Sequence, residues 1–147
     1  MTPDQIRSVQ DSFALVRPIR SEAAALFYGR LFALDPSARA LFADADLRAQ
    51  GEKLMRALGF VVAALRRPGA VFAAVADLAR HHAGYGVRER HYESAGEALL
   101  WTLEQGLGAA FTPELRDAWA AANGLLSRAM VEAARDEPRP PADRTAP

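Results

Sequence analysis

All three histidines of the chain lie in one short stretch, RHHAGYGVRERHY, which begins at Arg80. Imidazole nitrogens bind metals and transfer protons near neutral pH, so these residues are the first candidates for chemistry. Val71, Val75, Leu78 and His82 follow one another at intervals of four, three and four residues, which places them on one face of a helix. The spacing predicts that His82 points inward with the apolar residues.

The other two histidines are predicted to lie on the surface. His81 is rotated by about 100° from His82 around the helix, and His91 follows two glycines in a charged setting. A zinc site built by protein alone needs three or four ligands, which adjacent histidines on one helix cannot easily supply. A haem provides four equatorial nitrogens itself and needs as little as one axial imidazole. His82 is therefore either a haem ligand or an ordinary buried histidine.

Two further polar residues lie on apolar stripes. Gln50 is three residues after Leu47, and Tyr28 is three residues before Leu31, so both should face inward. Taken singly, Tyr28 is explained as a buried tyrosine whose hydroxyl bonds to a carbonyl, and Gln50 as an amide at a helix boundary. Together with His82 they supply a metal ligand and two hydrogen-bond donors on different helices, as a ligand-binding haem pocket requires.

The segments that carry these residues all have helical patterns. A capping residue followed by proline occurs at Thr2-Pro3, Asp35-Pro36 and Thr112-Pro113, which is typical of helix starts. We predict helices over about 3–17, 21–34, 36–42, 47–65, 71–82, 90–107 and 113–135, with a loop over 43–46. The fold class is therefore all-α, with one domain over residues 1–137 and a disordered proline-rich tail over 138–147.

The composition narrows the class of protein. The 147 residues are 50% hydrophobic, which suits one soluble domain, and eighteen basic residues balance eighteen acidic ones. This balance argues against nucleic-acid and membrane partners. The absence of cysteine excludes disulfides and thiolate zinc sites. No segment resembles a secretory signal or the roughly 20 apolar residues of a membrane span. We expect a cytoplasmic protein that is a monomer or a weak dimer.

From about Pro3 to Arg135 the sequence resembles the bacterial single-domain globins and the globin half of flavohaemoglobins. The matching pieces, in order, are LFYGRLF with Tyr28, DPSARALF ending at Phe42, Gln50 with Lys53 and Leu54, HAGYGV from His82, His91-Tyr92, and Asp117-Ala118-Trp119. The resemblance implies a globin fold, in which helices pack three-on-three around haem b, iron protoporphyrin IX.

The same resemblance assigns roles to individual residues. It makes His82 the proximal ligand of the haem iron, and it places Tyr28, Gln50 and Leu54 around the distal side, where they stabilise a bound ligand. The residues that would contact the haem itself are Phe42, Lys53, Val87, Tyr92 and Leu99. Lys53, the only lysine, would pair with a haem propionate or be an ordinary solvated charge. Core packing explains Val87 and Leu99 equally well.

The sequence also departs from the family pattern. Flavohaemoglobins continue into a flavin and nicotinamide reductase domain, whereas this sequence continues into a short tail, so redox turnover would need an external reductase. Relatives pair the tyrosine equivalent to Tyr92 with a glutamate, and Ala134 occupies that glutamate's position here. Glu132 lies roughly 200° away around the helix and does not substitute for it.

Three functions are compatible with these residues. The resemblance implies a globin that reversibly binds dioxygen, nitric oxide and carbon monoxide, for oxygen binding and supply. A nitric oxide dioxygenase that uses an external reductase to make nitrate is the enzymatic alternative. A haem-free, globin-like interaction or sensor module is the third.

Overall fold

The computed structural model describes residues 1–84 and 87–136, and within them all side chains except those of 77, 80–84 and 134–136. The described residues form the helices α1 (Pro3–Val16), α2 (Arg20–Leu34), α3 (Pro36–Ala40), α4 (Leu47–Ala63), α5 (Pro68–Gly84), α6 (Glu89–Leu107) and α7 (Pro113–Asp136). This part of the chain contains no strand, which confirms the all-α prediction. None of its helices is long and apolar enough to cross a membrane. The predicted tail over 138–147 lies outside the described residues.

Side-chain caps begin several helices where the sequence predicts them. The Thr2 hydroxyl accepts a hydrogen bond from the Gln5 N–H at 3.1 Å, and the Gln5 side chain accepts one from the Thr2 N–H at 3.0 Å. Asp35 and Asp46 cap α3 and α4, each accepting from the N–H two residues later. The expected start of the fifth helix near residue 71 is wrong by three residues, because Pro68 occupies its first turn.

The core joins helices that are distant in the chain. α5 packs against α7, α2 packs against α6 and α4, and α1 packs against α7 and α4. Trp119, Val9, Val71 and Val75 are its largest fully buried side chains. The indole N–H of Trp119 donates to the Ser12 hydroxyl at 2.9 Å and ties α7 to α1. The consecutive helices α4 and α5 therefore take different principal partners, α2 for one and α7 for the other.

The contact between α2 and α4 is unusually close at one point. A Cβ placed on Gly51 would lie only 2.9 Å from the Cβ of Ala24, so glycine permits a separation that alanine would not. Gln50 is the neighbour of Gly51 in α4, and Tyr28 lies one turn after Ala24 in α2. This crossing therefore sets the distance between the two polar residues predicted for the distal pocket.

Candidate functional site

Tyr28 lies at the centre of an aromatic cluster between α2, α3 and α4. Its side chain is only 6% exposed. The Phe27 ring lies edge-on to it, with centroids 5.1 Å apart, and the Phe42 ring also lies edge-on at 5.3 Å. Leu54 of α4 packs against the same cluster. The structure thus brings together Tyr28, Phe42 and Leu54, three of the residues predicted around the haem.

The Gln50 side chain acts on the Tyr28 hydroxyl and lowers its pKa. Burial raises the pKa of Tyr28 to about 12, and the hydrogen bond from the half-buried Gln50 side chain lowers the pKa by a smaller amount. An amide N–H that donates to the phenol oxygen stabilises the ionised form, which accounts for the direction of that effect. The phenol nevertheless stays protonated at neutral pH, so its O–H can donate a hydrogen bond to a third group.

α6 closes the site from another side. Leu99 packs both against the cluster around Tyr28 and against the main core of the molecule. Tyr92, two turns earlier, is half-buried against the main core together with Leu78 of α5, and burial raises its pKa. Leu99 therefore connects the candidate site to the main core of the molecule.

Lys53 and Val87 lie outside the cluster around Tyr28. Val87 is half-buried just before α6, and Lys53 is exposed on α4. Among the described residues, neither belongs to the cluster around Tyr28. Their predicted haem contacts therefore stay predictions.

The side chain of His82 lies outside the described residues, as do those of His81 and Ala134. The backbone of His82 continues α5, which ends at Gly84. Val71, Val75 and Ala79 of this helix are fully buried. His82 follows this buried stripe at the spacing from which its inward direction was predicted, and its role as the proximal ligand stays a prediction.

The expectation that His91 lies on the surface is wrong, because its side chain is only 8% exposed. Its Nδ1 accepts a hydrogen bond from the Arg88 N–H at 2.8 Å, so the neutral imidazole carries its proton on Nε2. That nitrogen lies 3.3 Å from the Ser37 hydroxyl and 3.7 Å from an Asp35 carboxylate oxygen. His91 thereby caps α6 and fastens it to the start of α3.

The charges around Asp35 strengthen this connection. The Ser37 hydroxyl donates to the Asp35 carboxylate and lowers its pKa, with smaller contributions from His91 and Arg90. The Arg90 guanidinium also donates to the Ser37 hydroxyl at 3.3 Å. A signal for this site was present in the sequence, since His91 is the third residue of α6, where a side-chain acceptor can reach back to the helix-capping N–H.

The described side chains fit the haem that the sequence predicts. Phe42, Leu54 and Leu99 offer apolar contacts to a flat macrocycle. Tyr28 adds one buried, protonated hydroxyl to this apolar surround. An apolar pocket with one or two placed hydrogen-bond donors suits a small uncharged ligand.

Comparison with known proteins agrees with this geometry. The family model described as Globin matches residues 25–130. The chain is 36% identical over 103 residues to a flavohemoprotein of Rhizobium meliloti, covering 69% of this chain and 26% of that protein. It is 33% identical over 136 residues to a flavohemoprotein of Bordetella pertussis, covering 89% of this chain and 33% of that protein. The identity to a flavohemoprotein of Deinococcus radiodurans is 29% over 133 residues, covering 89% of this chain and 33% of that protein. The chain therefore spans a third or less of the length of these relatives.

Proposed function

This chain belongs to the globin family, and we propose that it holds its haem through His82 and binds dioxygen reversibly beside Tyr28. Membership of the family confirms the globin fold and the haem b cofactor that the sequence predicts. When bound, haem b supplies an iron that takes up diatomic gases. The polypeptide supplies the axial imidazole, the hydrogen bonds and the exclusion of water.

The observation that carries the proposal is the buried Tyr28 hydroxyl with the half-buried Gln50 side chain acting on it. Because the pKa of Tyr28 is about 12, its hydroxyl keeps its proton at neutral pH and can donate to dioxygen. A Gln50 amide that donates to the phenol oxygen would leave the hydroxyl proton available to the ligand. A hydrogen bond of this kind contributes about 1–3 kcal/mol in a buried site, which slows ligand release.

The apolar residues around the pair keep water out of the site. Phe42 packs against the Tyr28 ring, and Leu54 and Leu99 pack against the same cluster from α4 and α6. Excluding water strengthens the hydrogen bond from Tyr28, because no solvent competes for its hydroxyl and the local dielectric is low. Lys53, exposed on α4, would pair with a haem propionate at the edge of the site.

The first experiment is a haem titration of the purified protein followed by absorption spectra. We expect stoichiometric haem uptake and a strong absorption band near the blue edge of the visible range that shifts on reduction and on adding dioxygen or carbon monoxide. His82→Ala should lose tight haem binding, whereas the matched control His81→Ala should keep it. Equal haem content in both variants would contradict the role of His82.

Nitric oxide dioxygenation is a second candidate, favoured by the similarity to proteins named flavohemoprotein. In this reaction nitric oxide, dioxygen and one electron give nitrate, and an external reductase would supply the electron. Nitrate formation over many turnovers, in the presence of a flavin reductase and a nicotinamide cofactor, would support this activity. A single turnover per haem under the same conditions would leave oxygen binding as the function. For either activity we propose a cytoplasmic protein, monomeric or weakly dimeric.

A further inference from the structure

A groove of about 1230 Å³ runs along the surface between α2 and α4. Gly51 and Met55 lie on its wall from α4, and Ala24 and Ala25 lie on its wall from α2. Gln50 and Leu54 do not line it. Tyr28 and Phe32 of the aromatic cluster do line it, so the groove borders the candidate haem site and shares Tyr28 with it, but it uses a different face of α4.

The groove concentrates positive charge. Five arginines line it, namely Arg17, Arg20, Arg39, Arg48 and Arg56, and Glu52 is the one acidic residue among its lining. Five positive charges and one negative charge leave a local excess of four, although the whole chain has a formal net charge of zero. A concave surface with charge of one sign attracts a partner of the opposite sign.

These arginines are available to a partner. Within the described part of the chain, none of the five guanidinium groups forms an ion pair within 4.0 Å. Arg17 and Arg39 lie over the rings of Phe13 and Phe32, each at 5.6 Å from the centroid, which orients their guanidinium groups without neutralising them.

Large apolar side chains that line the groove are also exposed to solvent. Phe60 is 56% exposed and lines the groove from α4, as does Leu47, which is 39% exposed. A Cβ placed on Gly29 would meet no atom within 4 Å, so the groove is open beside α2. A groove lined by both arginines and exposed apolar side chains matches the mode in which a groove receives an amphipathic helix.

We propose that the groove between α2 and α4 binds an acidic amphipathic helix of a partner protein. A helix of about 10 Å diameter is convex, so it can present an apolar ridge to Phe60 and carboxylates to arginines on both walls. A flat bilayer would reach the rims of a concave surface but not arginines on its facing walls. The inference depends on the groove and its charges, and it would stand even if haem bound no dioxygen.

The test uses the full-length, haem-loaded protein and a synthetic helical peptide of glutamate and leucine that carries a fluorescent label. A peptide of the same length with lysine in place of glutamate is the probe of opposite charge. Fluorescence anisotropy should show binding of the acidic peptide that weakens as the salt concentration rises, and no binding of the lysine peptide.

Two paired variants test the location. Arg48→Gln with Arg56→Gln removes two groove charges that make no ion pair or ring contact among the described residues. Since each exposed pair changes affinity about two- to three-fold, this variant should bind the acidic peptide about five-fold more weakly. The matched control, Arg7→Gln with Arg67→Gln, removes two exposed charges outside the groove and should bind as the parent does.

A third variant separates shape from charge. Gly29→Trp would fill the open part of the groove without altering its charge, and it should also weaken binding. Equal weakening by both arginine pairs would show attraction by the overall charge and would overturn the proposal. No binding of the acidic peptide, or binding only to phosphatidylglycerol vesicles, would overturn it as well.

Discussion

The Phe42 ring meets the Tyr28 ring edge-on, with centroids 5.3 Å apart and planes inclined by 66°. Phe42 follows the short helix α3, so this contact links the end of α3 to α2. The edge-to-face geometry contributes about 0.5–1.5 kcal/mol beyond the burial of the two rings. The Tyr28 side chain is only 6% exposed, and burial is the largest effect on its pKa.

Removing the Tyr28 hydroxyl tests its part in ligand binding. In Tyr28→Phe, we expect dioxygen to dissociate about 10- to 100-fold faster, because a buried hydrogen bond of about 1.5–3 kcal/mol is lost while the ring packing is kept. Stopped-flow displacement of dioxygen by carbon monoxide measures this rate. The release rate of carbon monoxide is the internal control, because carbon monoxide is a weaker hydrogen-bond acceptor and its release should change less. An unchanged dioxygen rate would show that the hydroxyl does not hold the ligand.

Gln50 should act through Tyr28 and not independently. Gln50→Leu removes the amide that partners the phenol oxygen, so dioxygen release should accelerate, but less than in Tyr28→Phe. In the double variant, the dissociation rate should increase by less than the product of the two separate fold-increases. The reason is that both substitutions disturb one hydrogen-bonded unit. Strictly multiplicative effects on the dissociation rate would mean that Gln50 contacts the ligand on its own.

The raised pKa of Tyr28 predicts a loss of stability at high pH. Below pH 10 the phenol is protonated in both states; between pH 10 and 12 it ionises in the unfolded chain, at its ordinary pKa of 10.0, but not in the folded protein. The free energy of unfolding should therefore fall by about 2 kcal/mol more in the parent than in Tyr28→Phe across this interval. Urea denaturation at several pH values measures the difference, and parallel curves would contradict it.

The sequence predicts the helices and the inward direction of Tyr28, because helix caps and apolar spacing are local properties of the chain. It did not predict the burial of His91, whose environment depends on α3, more than fifty residues earlier. The pairing of Ala24 with Gly51 was missed for a similar reason. A glycine in a helix has no local signal that distinguishes a close helix crossing from an ordinary surface position.

His91 should stabilise the junction of α3 and α6. His91→Ala leaves the Arg88 N–H without its acceptor and opens space next to Ser37 and Asp35. We expect the free energy of unfolding to fall by about 1–3 kcal/mol. Ser37→Ala, a change at an exposed residue, is the comparison and should cost less than about 1 kcal/mol. Equal losses for the two variants would show that the imidazole adds nothing beyond its contact with Ser37.

The crossing of Ala24 and Gly51 should control both stability and ligand release. A methyl group on Gly51 would lie 2.9 Å from the Ala24 Cβ, so Gly51→Ala forces α2 and α4 apart and moves Gln50 away from Tyr28. Overpacking costs about 1–3 kcal/mol, and the better helix propensity of alanine offsets about 1 kcal/mol of it. We expect a lower free energy of unfolding together with faster dioxygen dissociation.

Two companion variants separate this steric effect from helix propensity. Gly29→Ala makes the same substitution in α2, where a Cβ meets no atom within 4 Å, so it should stabilise the protein by up to about 1 kcal/mol. Ala24→Gly combined with Gly51→Ala removes the opposing methyl group and should restore the parent's slow dioxygen release. If the double variant released dioxygen as fast as Gly51→Ala alone, the spacing of α2 and α4 would not be what positions Gln50 against Tyr28.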